Sequence, residues 1–510
     1  MRLACVQTRG ELGLAAPEVG VEVHLGGGLP GLGIVGLAET TVKESRERVR
    51  AAIGQSGFEF PGRRITVNLA PADLPKAGGR FDLAVAIGVL AASGQVPVGD
   101  LAGCELFGEL SLSGALRPVP GLLPALLATR AAGRTAIVPA GCEAEASLVT
   151  GLDLRVARDL AAVARHLHQV ERLPLVAAGA SARKAPGPFE DLSDVQGQPQ
   201  ARRALEIAAA GGHNLLMIGP PGSGKSLLAR RLPGILPLLS EDEAVESAAI
   251  ASVAGVLPTQ GWRLPPFRAP HHTASASALV GGGTWPRPGE ISLAHNGVLF
   301  MDEIAEFARP VLESLREPLE TGRIAIARAS RTLEFPARIQ LIGALNPCVC
   351  GFHGDTRRQC RCTPDQIHRY QERLSGPFLD RIDIRVEVPR TDYRLHAETP
   401  GEASAAVAAR VAAARASQLA RQGHINAQLP AAALRDCCLP DADGVRLLED
   451  AARRLHLSRR ACDSVLRVAR TVADLASHAA VGRAAVAEAL GLRRGLGRDL
   501  REGTGNPQSI

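Results

Sequence analysis

"NLLMIGPPGSGKSLLARRL", residues 214–232, decides how this chain folds. Its apolar opening reads as a strand, the Gly/Pro/Ser stretch as a tight loop, and the segment after it as a helix. Gly219, Gly224, Lys225 and Ser226 satisfy the P-loop pattern, with Pro220, Pro221, Gly222 and Ser223 filling the loop. In such a loop the backbone N–H groups and the helix N-terminus cradle phosphates. The lysine reaches the β- and γ-phosphates, and the serine hydroxyl binds magnesium. Lys43, Lys76, Lys184 and Lys225 are the only lysines, against dozens of arginines, so a lysine at this position is a specific signal.

Further along, "NGVLFMDEIAEF" (296–307) is an apolar strand ending in Asp302 and Glu303. Behind a P-loop, Asp302 is expected to hold the magnesium and Glu303 to polarise the attacking water. The plainer alternative is a buried strand whose end happens to carry acids. A third strand, "RIQLIGALNP" (338–347), ends in Asn346, placed to orient water or the γ-phosphate. "LSGPFLDRIDIRVEVP" (374–389) offers Arg381, and "LHLSRRACDSVLRVAR" (455–470) offers Arg460, with Arg459 competing by one position. This order of parts resembles an AAA+ ATPase: Walker A, Walker B, sensor 1 asparagine, arginine finger and sensor 2 arginine. The resemblance implies ATP and Mg2+ as cofactors. It makes Arg381 a finger acting on the neighbouring subunit's nucleotide, and Arg460 the sensor 2.

Three long segments sharpen it: "FRAPHHTASASALVGGGTWPRPGEISLAHNGVLFMDEIAEF" (267–307), "LESLREPLETGRIAIARASRTLEFPARIQLIGALNPCVCG" (312–351) and residues 374–389. On these the chain is identified as a member of the ComM/YifB family in the magnesium-chelatase-like AAA+ branch, over nearly its whole length. The resemblance implies an α/β fold with a Lon-like (ribosomal S5 domain 2-like) N-terminal domain, an AAA+ P-loop domain and a helical C-terminal lid. The expected divisions are 1–168, a linker at 169–190, 191–392, 393–497 and a tail at 498–510. The implied activity is that of a hexameric DNA helicase promoting branch migration during natural transformation. "GGGTWPRPG" (281–289), with Trp285 and Arg287, and the hairpin "TGRIAIARASRTLEF" (321–335), with Arg323, Arg328 and Arg331, would then face a central pore. The alternation in "RIAIARA" reads as one apolar face and one basic face. Basic side chains there can hold successive phosphates without reading sequence, which suits a chain with only 3% aromatics. The alternative is an exposed hairpin kept soluble by charge.

"NPCVCGFHGDTRRQCRCTP" (346–364) carries Cys348, Cys350, Cys360 and Cys362. Four thiolates from a short loop can close a tetrahedral zinc site, although Cys-x-Cys departs from the commoner Cys-x2-Cys spacing. The alternative is free thiols in a tight turn. The adjacent His271 and His272 do not share a helix or strand face, and are expected in structural or substrate-loop roles.

The N-terminal third alternates strand and helix signals. "LPKAGGRFDLAVAIG" (74–88) resembles the segment of Lon-type proteases that carries the serine nucleophile. Aligning it places Arg80 at the serine and, in "VPGLLPALL", Leu123 at the base lysine. Arginine cannot act as the acyl nucleophile and leucine cannot take its proton, so the protease chemistry is expected to be absent. Lys76 beside Arg80 suggests a basic loop that contacts DNA or forms a salt bridge, for instance to Asp82.

At 510 residues the chain is long enough for about two to four domains. A net charge of +6 permits a nucleic-acid partner without demanding one. The opening "MRLACVQTRG" lacks a signal peptide's apolar stretch, and no long apolar run suggests a membrane span. Ten scattered cysteines fit a reducing cytoplasm. The leading expectation is a homo-hexameric motor on single-stranded or branched DNA. The rivals are a chelatase-type motor, or a protein-remodelling ring whose inactive protease-like domain recruits a partner.

Overall fold

The computed structural model describes residues 2–36, 44–76, 78–99, 101–177, 189–257, 261–283, 286–328, 331–390 and 401–493, with only the backbone at 328 and 331. Lys43, Lys184, Trp285, residues 178–188 of the expected linker and the whole tail lie outside these residues.

The first part of the chain builds a seven-stranded sheet. Its spatial order is Gly31–Val35, Arg64–Ala70, Glu18–Gly26, Leu3–Arg9, Cys104–Leu106, Thr135–Pro139, Leu154–Ala157. Glu18–Gly26 runs antiparallel to both its neighbours, and the other pairings are parallel. Period-2 alternation sends Val19, Val21, Val23 and Leu25 into the core. Against that face lies the helix Asp82–Ala92, buried at all eleven positions because its sequence is apolar all round. Gly88 lets it approach closely: a Cβ there would sit 2.6 Å from Val23 Cγ2. Glu109–Leu110 and Leu116–Arg117 form a hairpin, followed by the helix Leu122–Ala131.

The P-loop strand belongs to a second sheet of five parallel strands. The order is Phe267–Arg268, Gly297–Met301, Ile339–Leu345, Leu215–Ile218, Ile384–Glu387. A parallel sheet is covered on both faces, which is why these strands are near-continuous apolar runs. The strand ending in Asn346 lies between the P-loop strand and the one ending in Asp302, so all three C-terminal ends open on one edge.

The last part is helical: Ser404–Gln422, Ala442–Arg454, Arg459–Leu475 and Arg483–Gly491. Val407, Val411, Val465, Val468 and Val472 share one core with Leu205, Ala208 and Ile384. Arg415 donates to the Ala209 carbonyl at 2.7 and 2.9 Å, and Gln418 to the Ala210 carbonyl at 3.2 Å. These satisfy carbonyls that the end of helix Pro199–Gly211 leaves open. No helix among the described residues is long and apolar enough to cross a membrane.

The two sheets are joined where the helix Leu122–Ala131 meets Glu241–Ala254, with Ala248 and Ala249 entering the core of the former. The expected dyad positions lie at this joint. Arg80, 3% exposed, donates to the Pro120 and Gly121 carbonyls at 2.5 and 3.2 Å. Gly121 N donates to Ser252 O at 3.2 Å, and Leu123 N to Glu145 Oε1 at 2.9 Å. Ser252 Oγ closes the set on Glu145. Lys76 differs from expectation. It is fully buried with its amine on the Pro71 carbonyl, so it presents no charge to a strand of DNA. Asp82 pairs with Arg48 at 2.7 Å instead.

Candidate nucleotide-binding site

The site forms where the P-loop leaves its strand. Gly219 must be glycine, since a Cβ would lie 2.1 Å from Val388 O. Gly222 (φ +76°) and Gly224 (φ +95°) take left-handed conformations that favour glycine and turn the chain into the helix Lys225–Arg231. The first-turn amides of that helix have no intrahelical partner and remain free for an anion. Gln198 braces the loop by donating to the Ser223 carbonyl at 3.3 Å and to the Pro389 carbonyl. Ser223 Oγ is buried without a hydrogen-bond partner among the described residues, an orphan polar atom that fits a polar ligand.

Lys225 is folded back on its own loop. Its Nζ donates to the carbonyls of Gly219 (2.7 Å) and Pro220 (3.0 Å) and to Asn346 Oδ1 (3.2 Å). Burial pushes its pKa down to about 8, against the upward pull of Asp302 and Glu303. A buried lysine paired only with neutral oxygens gains from an anionic partner, and this is what a phosphate would supply. Ser226 Oγ donates to Asp302 Oδ2 at 2.7 Å, bringing together a hydroxyl and a carboxylate suited to a hard divalent cation.

Glu303 follows in a left-handed conformation, φ +50°, uncommon for a residue with a side chain and of the kind that clusters at functional sites. Its amide donates to Asp302 Oδ1 at 3.0 Å and its carboxylate is exposed at the strand's end. His272 Nδ1 lies 3.6 Å from Glu303 Oε2, a neighbour that adjacency in sequence did not reveal. The signal available was that His272 follows the strand Phe267–Arg268, which pairs beside the strand of Asp302.

The two arginines lie elsewhere. Arg381 donates to Arg316 O (3.1 Å) and Pro377 O (2.7 Å) and pairs with Glu320. Arg460 Nη1 is 3.6 Å from the same carboxylate. Both line a cleft of about 1040 Å3 with Asn214, Gly297 and Asp383, residues at the N-terminal ends of the strands. Strand Ile384–Glu387 separates this cleft from the P-loop edge by about 13 Å. Arg460 therefore does not reach the P-loop of its own chain, because the helical segment packs across the opposite edge of the sheet.

The hairpin Arg323–Arg328 with Arg331–Pro336 forms as expected, and Ile324 and Ile326 are buried. Its other face is not a basic one. Exposed there are Ala325, Ala327 and Arg323, the last held by Glu334 at 2.7 Å. Arg328 and Arg331 are the last pair before the turn; their side chains lie outside the described residues. Arg287 is exposed on a two-residue strand paired with Gly281–Gly282. A Cβ on Gly281 would lie 2.7 Å from Ile326, so the two inserts touch. Cys348, Cys350, Cys360 and Cys362 bring their sulfurs within 4.8 Å of one another just past Asn346.

Family resemblances cover nearly the whole chain. Residues 191–395 match the family described as magnesium chelatase, subunit ChlI; residues 21–141 match subunit ChlI of Mg-chelatase, and 401–493 match its C-terminal family. The uncharacterized protein YifB of Escherichia coli is 49% identical over 97% of this chain and 97% of its own. The competence protein ComM of Haemophilus influenzae is 49% identical over 97% and 98%. The magnesium-chelatase 38 kDa subunit of Rhodobacter capsulatus is 30% identical over 43% of this chain and 64% of that protein. With two such relatives matched end to end, the chain belongs to the ComM/YifB family of magnesium-chelatase-like AAA+ proteins.

Proposed function

We propose that this protein is an ATP-hydrolysing AAA+ motor that forms a homo-hexameric ring on DNA, a helicase promoting branch migration during natural transformation. The observation that carries the ATPase part is the convergence of Lys225, Ser226, Asp302, Glu303 and Asn346 on one sheet edge. Lys225 would leave the Gly219 and Pro220 carbonyls to hold the β- and γ-phosphates. Magnesium, held by Ser226 and Asp302, would neutralise charge on those phosphates. Glu303 takes the proton of the attacking water, and Asn346 orients it. Arg381 and Arg460, at the far end of the strands, act on a neighbour's nucleotide, so hydrolysis needs a ring.

The DNA part rests on likeness to the competence protein ComM and on the paired Arg328 and Arg331 at the hairpin tip. Arginines at two cross-strand positions next to the turn would suit the phosphate backbone of a strand threading the ring. Arg323 contributes less than the tip, since Glu334 already neutralises it. Arg287, exposed on the insert that touches Ile326, would add a further cation. Arg80 and Leu123 at the expected dyad positions leave the N-terminal domain without protease chemistry.

The test is ATPase activity with and without DNA. Arg328→Ala combined with Arg331→Ala should keep basal turnover, abolish DNA stimulation, and reduce the salt slope of DNA binding by about two units. Normal strand movement by this variant would refute the pore-grip role. ATPase activity indifferent to any DNA would favour a protein-remodelling or chelatase-type ring instead.

A further inference from the structure

We propose that Cys348, Cys350, Cys360 and Cys362 bind one zinc ion, and that the resulting knuckle clamps the outer wall of the nucleotide site. The inference rests on the ATPase reading above and adds to it a metal that governs nucleotide affinity.

The geometry is that of a metal cage. The Sγ–Sγ distances are 3.4 Å (Cys348–Cys350), 3.7 Å (Cys348–Cys360) and 3.6 Å (Cys350–Cys360), and all four sulfurs fall within 4.8 Å. A tetrahedron with Zn–S bonds of about 2.3 Å has edges of about 3.8 Å. A disulfide would need about 2.05 Å, so none of these contacts is one. Four thiols drawn to one point, with the first buried and the others half-buried, match a closed structural site and leave no open coordination position. Thiolate donors favour zinc over hard cations such as the magnesium expected at Ser226 and Asp302.

What the knuckle touches gives it a role. Cys348 is two residues beyond Asn346, whose side chain accepts from Lys225. Gly351, at φ +82°, lies flat against the P-loop, and a Cβ there would be 2.6 Å from Pro221 Cδ. Arg390 bridges the two loops: it donates to Pro221 O at 3.0 Å, lies 3.6 Å from Asp355 and stacks over Phe352 at 5.2 Å. Arg358 covers the same ring at 4.2 Å. The helix Pro364–Gln371 returns to the start of the knuckle through Gln371 and Pro347 O at 3.3 Å. A loop this short has little apolar core of its own, and a metal supplies the rigidity that packing does not. With zinc bound, the P-loop and Asn346 share one rigid support.

The experiment measures metal content and nucleotide affinity on the full-length protein. The purified protein should carry one zinc per chain, and cobalt substitution should give the visible and charge-transfer bands of a tetrahedral tetrathiolate. Cys360→Ser with Cys362→Ser should lose the metal and bind a fluorescent ATP analogue about tenfold more weakly, the worth of one hydrogen bond to a charged group. Gly351→Ala keeps all four cysteines. It should retain zinc yet weaken nucleotide binding, separating the clamp from the metal even if the double variant fails to fold. Cys437→Ser, away from the cluster, should change neither. A protein that takes up neither zinc nor cobalt overturns the site. Zinc-free protein, or Gly351→Ala, with unaltered nucleotide affinity overturns the clamp. Lys225→Ala is the separate control: if it binds nucleotide normally while holding zinc, the ATPase reading fails and the metal site stands.

Discussion

The position of Arg381 gives a quantitative expectation for mixed rings. Arg381 and Lys225 lie at opposite ends of paired strands, so no subunit can bring its own arginine to its own nucleotide. On the proposed ring, each active interface would join one subunit's P-loop to the next subunit's Arg381. Arg381→Ala alone should lower turnover by about 10³-fold or more, as loss of an arginine finger does, and Lys225→Ala alone should abolish it. Mixing the two at fraction p creates interfaces where an intact P-loop meets an intact arginine with probability p(1 − p). Activity should therefore rise from near zero at either end to about a quarter of wild type at equal amounts. The assay is steady-state ATP hydrolysis across mixing ratios, with subunit exchange followed by two fluorescent labels. A flat, inactive profile from rings shown to be mixed would refute the assignment. A cis-acting arginine would give that result.

Glu303→Gln should bind ATP with near wild-type affinity but hydrolyse it about 10²-fold more slowly, since only water activation is lost; unchanged turnover would remove Glu303 from the reaction. The buried Lys225, with its pKa lowered to about 8, is neutral above that pH in the free protein, while phosphates favour its charged form. Nucleotide affinity should therefore be flat below pH 8 and fall by about tenfold per unit above it, until the pKa of the bound form is reached. A titration that stays flat past pH 9 or so would place another group on the phosphates. Arg80→Met should cost about 3 kcal/mol of stability by leaving the Pro120 and Gly121 carbonyls without their donor and the Glu11 carboxylate, 3.9 Å away, without its cation. Denaturant unfolding reads this, and a wild-type midpoint would mean that the joint does not depend on the cation.

The P-loop was legible because phosphate binding constrains consecutive residues: glycines where φ is positive or a Cβ would clash, then lysine and serine at fixed offsets. The strands of Asp302 and Asn346 were legible for a related reason, as apolar runs whose polar ends must meet the loop. The four-cysteine cluster was legible as an option from spacing alone. Arg460 was not legible, because its place depends on which edge of the sheet the helical segment covers, set by contacts between residues hundreds of positions apart. The burial of Lys76 was hidden for the same reason. The basic face read into "RIAIARA" failed on parity: Arg328 falls in step with Ile324 and Ile326, so the exposed side is mostly alanine. His272 and Gln198 gave no motif, only adjacency to elements that form the site.

The N-terminal sheet and the nucleotide edge are linked by the helix Glu241–Ala254. Arg80 holds the turn at Gly121, and Gly121 and Leu123 grip Ser252 near the end of helix Glu241–Ala254. The other end of that helix holds the start of the Asp302 strand. Glu246 lies 3.0 Å from His295 and 2.6 Å from Arg338, and Asn296 donates to Glu243 O at 3.2 Å. His295 and Arg338, with the hydrogen bond at 2.9 Å between them, pull the pKa of Glu246 down to about 2. Asn296 leads directly into Gly297–Met301 and thence to Asp302 and Glu303. One helix thus touches the N-terminal turn at Gly121 through Ser252 and the start of the strand Gly297–Met301 through Glu243 and Glu246. Arg80 and Leu123 both lie at the first of these two contacts. Arginine suits this contact because its fixed charge and several donors hold the Pro120 and Gly121 carbonyls in place.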